Sequence, residues 1–263
     1  MKKYDKYALY EVSVQSPDTQ VDIYLDIYND INKKKPRHFR EDFCSTFILS
    51  LEWVKRHKSH TAVGIDLDSE PLRYGKKMHL SKLSTDQKKR MRLLRQNVIS
   101  VTKPKADIIG VGNFSFYIFQ KRDVLIEYFK CCLKSLQKKG IIVLEMAGGP
   151  GTIEQRKETK TVKMSRGKKF KYIWDQKSFD PIPRQAHYAI HFKFADGSTL
   201  KNAFTYDWRV WTIPEVREAL YEAGFSKTYV YWDQSDSGNS YDYLQTEKAT
   251  NDHAWVSQIV GVK

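Results

Sequence analysis

The stretch from Phe39 to Asp68, FREDFCSTFILSLEWVKRHKSHTAVGIDLD, limits what this chain can fold into more than any other. Arg37 to Phe43 reads as a short extended run, and Cys44, Ser45 and Thr46 as a turn of small residues. Phe47 to His57 has the apolar density of a buried helix, carried by Phe47, Ile48, Leu51, Trp53 and Val54. His57 to His60 is a polar break. Thr61 to Leu67 is rich in strand formers and closes on Asp66 and Asp68. A strand feeding a helix that returns to a parallel strand is a right-handed βαβ unit. In such units the turn and helix start receive the polar end of a nucleoside ligand, and an acid about 20 residues further on takes the ribose hydroxyls. Asp66 stands 21 residues beyond Ser45. The glycines that usually build the turn are absent, so the spacing stands without the G-x-G-x-x-G fingerprint.

The 263 residues give room for one large α/β domain with an elaboration. No apolar run has the length that spans a bilayer. The first residues, MKKYDKYALYEVSVQ, are basic but lack a signal peptide's apolar segment. Cys44, Cys131 and Cys132 show no metal-ligand spacing, so a reduced, cytoplasmic protein without a metal is expected. The net charge of +14 raises nucleic acid as a partner. The charge falls in runs at 33–40, 73–95 and 157–171, and such runs are more often solvated faces than binding sites.

Before the first strand, Tyr4 to Gln15 and Val21 to Ile31 read as two helices separated at Ser16-Pro17. Their tyrosines, Tyr7, Tyr10, Tyr24 and Tyr28, suit a lid over a ligand. After Asp68, Ser69 is expected to cap a helix that carries the basic run, with Pro71 in its first turn. Met91 to Leu94 is a third strand and Asp107 to Val111 a fourth. Lys121 to Leu136 is an amphipathic helix, with Gly140 expected as its terminal cap. Ile141 to Met146 reads as a wholly apolar fifth strand. This alternation predicts a doubly wound sheet with its ligand site at the carboxyl ends of the strands. Residues 151–211 break the pattern: three β-rich runs and the turn Asp196-Gly197-Ser198 predict an antiparallel insertion. Thr212 to Glu215 is a capping box opening a helix that stops at Gly224. Two strands follow, Lys227 to Trp232 and Ala254 to Val262, joined by a long polar loop, Asp233 to Asp252, expected to be mobile.

These blocks in this order resemble the class I S-adenosylmethionine-dependent methyltransferases over nearly the whole chain. The resemblance rests on Arg40-Glu-Asp-Phe-Cys44, Val63-Gly-Ile-Asp-Leu-Asp68, Asn113-Phe-Ser-Phe116, Ile190-His-Phe-Lys-Phe194 and Tyr206-Asp-Trp-Arg209. It is strongest to a bacterial branch with an Arg-Glu-Asp-Phe-Cys first motif. It implies a Rossmann-like, seven-stranded sheet whose last strand is antiparallel. It also implies a division into an N-terminal helical lid (1–36), a core (37–150 and 212–263) and an antiparallel β insertion covering the site (151–211). The implied cofactor is S-adenosylmethionine, with S-adenosylhomocysteine as product. Arg40, Glu41, Cys44, Ser45 and Thr46 resemble the loop that holds its amino-acid end. Asp66 and Leu67 resemble the ribose site, Asn97 and Val98 the adenine site, and Gly112, Asn113 and Phe114 the floor beneath the methyl group.

Phe43, Ser45 and Phe47 stand where the superfamily usually has glycines; either Ser45 is a strained substitute at a position that needs positive φ, or, as is expected here, the loop is rebuilt along a different path with Ser45 capping the following helix. Methyl transfer has no universal catalytic residue. His187 and His191 are candidates for a base within the insertion, Tyr10 belongs to the lid, and Asn113 stands where amino-group methyltransferases grip an amine. The expected activity is methyl transfer to a small-molecule acceptor. The alternatives are an RNA or protein substrate met by the basic surface, or a methyltransferase-like protein that binds without catalysis.

Overall fold

The structure, a computed structural model, describes residues 4–164, 167–235 and 241–263. Two helices come first, α1 (Lys6–Val14) and α2 (Pro17–Asn32). Asp5 caps α1 by accepting the Tyr7 amide, and Pro17 sits in the first turn of α2, where its missing N–H costs nothing. The alternating core follows: β1 (His38–Asp42), α3 (Ile48–Arg56), β2 (Thr61–Asp66), α4 (Ser69–His79), α5 (Thr85–Lys89), β3 (Met91–Arg95), β4 (Ala106–Val111), α6 (Arg122–Ser135) and β5 (Leu136–Gly148). Then come β6 (Arg156–Lys163), β7 (Lys169–Asp180), β8 (Gln185–Phe194) and β9 (Thr199–Arg209). The chain closes with α7 (Ile213–Glu222), β10 (Lys227–Asp233), β11 (Tyr243–Gln245) and β12 (Trp255–Val262).

The main sheet has eight strands in the order β11-β10-β12-β5-β4-β1-β2-β3. β1 to β5 run parallel, while β12 lies antiparallel between β5 and β10. Strand order reverses between β1 and β4, so the loops leaving them diverge and open a crevice at their carboxyl ends. β6 to β9 make a separate four-stranded antiparallel sheet. The expected hairpin turn joins β8 to β9, with Gly197 at a φ of 83°. One face of this sheet, through Val162, Phe170, Tyr172, Ile190 and Phe192, packs on Leu9 of α1. Polar contacts tie α1 to both sides. Lys6 pairs with Glu70 at 2.9 Å, Glu11 meets His79 at 2.7 Å, and Lys160 reaches the Ser13 carbonyl at 2.5 Å.

The sequence reading is corrected at several points. Gly140 does not cap α6: the chain passes directly into extended Leu136, and Gly140 lies within β5. A Cβ there would stand 3.0 Å from the Ala106 carbonyl oxygen, so the glycine serves a close approach of strands. Asp68, not Ser69, caps α4 by accepting the Glu70 amide at 2.8 Å. The basic run is broken into α4, a short 3-10 turn and α5, which has its own capping box at Ser84 and Gln87. The loop 233–252 contains β11, which pairs with β10 through Trp232 and Leu244. β5 is not wholly apolar, because Glu145 interrupts it. Among the described residues, no helix is long and apolar enough to cross a membrane.

Candidate active site

The loop leaving β1 lies at the centre of the crevice. Phe43, Ser45 and Phe47 all have positive φ, at 54°, 48° and 53°. These are the three positions where the resemblance places glycine, so the loop keeps a glycine-type path and the expected rebuilding is overturned. Phe47 is the residue before α3, and no side chain caps that helix; Ser45 does not. Aromatic anchoring holds the strained backbone instead. The Phe47 ring is fully buried with Cys44 and Leu72, and it lies so close over Gly75 that a Cβ there would come within 2.5 Å of it. Phe43 packs on Phe119 and Tyr128, with ring centroids 5.8 and 6.1 Å away. Burying such a ring is worth about 1.5–3 kcal/mol, which offsets the roughly 1–2 kcal/mol cost of a left-handed residue.

Two carboxylates face the crevice. Asp66, at the end of β2, accepts the Ser45 amide at 2.7 Å and the Asp68 amide at 2.9 Å. Burial raises its pKa, while those amides oppose the shift. Glu41, on β1, accepts the Ser50 amide at 2.7 Å, and burial pushes it up to about 8. The loop leaving β4 repeats the backbone theme: Asn113 and Phe114 have φ of 51° and 57°. The Asn113 amide is held by the carboxylate of Glu145, whose own pKa is raised by burial.

These groups surround a cleft of about 230 Å3, lined by Glu41, Asp42, Cys44, Ser45, Asp66, Gly112 and Asn113. Tyr10 and Gln15 enter it from α1, and Phe204, Tyr206 and Trp208 from β9. A side chamber of about 70 Å3 joins Gln15, Gly112 and Asn113 to Gln20, Glu145 and Tyr241. Gln15 Oε1 and Gln20 Nε2 on the chamber, and the Tyr24 hydroxyl beside Gly112, are buried with no hydrogen-bond partner among the described residues. A larger cavity of about 420 Å3 opens on the other side of Trp208. Phe114, Tyr117, Trp174, Tyr188, Trp208, Trp232 and Trp255 supply its aromatic walls.

Of the residues marked in the sequence, Tyr10, Glu41, Cys44, Ser45, Asp66, Gly112 and Asn113 come together on the cleft. Phe114 lines the larger cavity. Thr46 is buried, its hydroxyl unpartnered. Leu67 is 65% exposed and lines none of these cavities. Arg40 points into the sheet's other face, where it pairs with Asp42 at 2.6 Å and donates to the carbonyls of Val98 and Ser100. Asn97 spends its side-chain oxygen on the Ile99 amide, and neither it nor Val98 lines the cleft. His187 and His191 lie on the face of β8 opposite Tyr188, away from both cavities. His187 stands 3.6 Å from Asp207, and His191 is fixed between Asp175 and the Asn202 amide. Sequence reasoning missed Glu145, although a lone carboxylate ending an apolar strand was a readable signal. It also gave no role to Trp208, which both cavities share.

Seven strands in the order β3-β2-β1-β4-β5-β12-β10, with β12 antiparallel and the cleft at the β1/β4 switch, make the class I S-adenosylmethionine-dependent methyltransferase fold, and β11 adds an eighth strand at the edge to the seven expected. Solved structures agree. The chain resembles Streptomyces venezuelae DesVI with a TM-score of 0.73 at 14% identity, covering 99% of each chain. It resembles CalS10, an S-adenosylmethionine-bound amino pentose methyltransferase from Micromonospora echinaspora, with a TM-score of 0.71 at 13% identity, covering 100% of this chain and 98% of that one. For the sugar N-methyltransferase KedS8 from Streptoalloteichus the TM-score is 0.69 at 12% identity, with 100% and 94% covered. No family model and no curated protein sequence matches the chain.

Proposed function

We propose that this chain is an S-adenosylmethionine-dependent methyltransferase acting on a small-molecule acceptor. The observation that carries the reading is the pairing of two cavities across one partition. The cleft with Glu41 and Asp66 meets the aromatic cavity at Trp208 and at the consecutive residues Asn113 and Phe114.

The residues of the cleft fit the cofactor. Its donor set is acidic, which suits a ligand that carries positive charge and vicinal hydroxyls. Asp66 would accept the hydroxyls. Burial holds Glu41 largely protonated in the free protein, and a cationic group bound beside it would favour its charged form. Gln15 offers a buried, unpartnered oxygen on the lid side, and the left-handed loops turn backbone groups toward the ligand. When bound, the cofactor supplies an electrophilic methyl group on a sulfonium centre. The chain's part is to orient the acceptor and exclude water. Exclusion falls to α1 and to β9, whose Tyr10, Phe204 and Tyr206 roof the cleft. We assign α1 the role of a lid on this ground.

The size of the second cavity, about 420 Å3, supports a small acceptor. Similar structures include enzymes described as sugar and glycopeptide N-methyltransferases, which supports an acceptor of that scale. The exposed lysines of α4 and α5 line neither cavity, which favours a small acceptor over one met by that basic run. The positive φ values of Phe43, Ser45 and Phe47 support a loop that still receives the cofactor.

The test is calorimetry with S-adenosylhomocysteine. A charge-assisted contact of roughly 1.5–3 kcal/mol means that Asp66→Ala should weaken binding about tenfold to a hundredfold. Unchanged affinity in a folded variant would remove Asp66 from the site, and no binding by the wild-type chain would overturn the proposal.

A further inference from the structure

We infer that the acceptor is an amine that is cationic in solution, received in the aromatic cavity by π faces and two carboxylates. This deepens the methyltransferase reading and rests on it.

The chain as a whole is +14, yet this cavity has the opposite sign. Its charged lining consists of Glu158, Asp233 and Asp252 against Arg156. The Arg156 guanidinium is already committed, 2.5 Å from Glu158 and 4.0 Å from Glu154, so it leaves no free positive charge for an anionic ligand. Asp233 and Asp252 pair with no cation among the described residues. Asp233 accepts the amides of Ser235 and Asp242, and Asp252 accepts from the Thr250 hydroxyl. Neither carboxylate is spent on an ion pair there, so both are open to a cationic ligand. A carboxylate or phosphate acceptor would be repelled.

The walls suit the same ligand. Trp174 stacks on Tyr188 at 5.1 Å, and Tyr188 meets Trp208 edge-on at 5.7 Å. Across the cavity Trp232 and Trp255 lie 4.9 Å apart. The two groups come from different sheets, β7 to β9 on one side and β10 and β12 on the other, so the space between them exists only where the insertion lies against the core. Several indole faces around one space attract an ammonium through their quadrupoles, and a desolvated site strengthens the attraction. Methyl transfer itself needs the neutral amine. The ammonium must therefore lose its proton to solvent water before its nitrogen lone pair could form the new carbon–nitrogen bond, the pair of the broken carbon–sulfur bond leaving with sulfur. Binding as a cation and reacting as a base are separate events, and the box serves the first.

The test uses tryptophan fluorescence and calorimetry on the full chain with three probes of one shape: cyclohexyltrimethylammonium, cyclohexanol and cyclohexanecarboxylate. The quaternary probe cannot accept a methyl group, so its binding is read apart from turnover. It should quench fluorescence at concentrations at least tenfold below the alcohol, and the carboxylate should not bind. Asp233→Asn with Asp252→Asn should cost the quaternary probe about tenfold while S-adenosylhomocysteine binds as before. Cation and alcohol binding equally, the carboxylate binding better, or no saturable binding of the cation would each overturn the inference. Loss of S-adenosylhomocysteine binding in the wild-type chain would instead overturn the reading beneath it.

Discussion

Replacing Ser45 by glycine separates strain held by the fold from strain imposed by a ligand. Ser45 sits at a φ of 48°, where a side chain costs about 1–2 kcal/mol. Its hydroxyl makes no hydrogen bond among the described residues, so glycine forfeits no side-chain contact of that kind. Glycine does raise the entropy of the unfolded chain, at about 0.4–1 kcal/mol. The net stabilisation should fall at about 0.8 kcal/mol, a rise in Tm of about 1–3 °C for a chain of this length. Because the free protein already holds the left-handed conformation, the cost is met on folding. S-adenosylhomocysteine affinity should therefore change less than about threefold. The assay is thermal unfolding and calorimetry of wild type, Ser45→Gly and Ser45→Ala. Alanine keeps the φ penalty and loses only the hydroxyl, so it should match the wild type. A glycine variant no more stable than the alanine variant would refute the strain argument. A tenfold gain in affinity would show that the strain arises on binding.

Three further outcomes are expected. Glu41 has its pKa raised to about 8, so the folded state binds more protons than the unfolded state between about pH 4.5 and 8, and its contribution to stability falls as pH rises through that window. Glu41→Gln should remove that loss, visible as a smaller drop in Tm from pH 6 to 9, while weakening the binding of a cationic ligand; an unchanged pH profile would count against it. Gly75→Ala would bring a Cβ to 2.6 Å from the Thr46 carbonyl oxygen, so it should cost about 1–3 kcal/mol in chemical denaturation and disturb the cleft, whereas near-wild-type stability would show that α4 can shift freely. Hydrogen exchange should show added protection across 6–14 when S-adenosylhomocysteine binds, and identical protection would leave α1 as plain packing.

The core was legible because each of its strands and helices carries its own period and punctuation. Thr212 with Glu215 announced α7, and the spacing from the first turn to Asp66 located one wall of the cleft. The path of the first loop was not legible. Glycine states a backbone conformation in a single letter, whereas here the path depends on the Phe47 ring lying over Gly75, a contact between distant segments. The contacts of Asn97 and Val98 were not legible for a related reason. Spacing brought them near the crevice, but it could not reveal that Arg40 would cross the sheet and take the Val98 carbonyl. The aromatic cavity draws on β7, β8, β9, β10 and β12, so no single stretch of sequence signals it.

The Phe47–Gly75 contact also bears on how the molecule opens. A loop built from glycines can hold its shape while its surroundings fluctuate. Here the shape is lent by α4, so releasing that helix removes the reason for the left-handed turns, and the two should open as one cooperative unit. The amides of residues 44–48 should then exchange with the same free energy as those of α4 rather than as an independent surface loop. The cleft would be lost in one step, together with the helix that shapes its first loop.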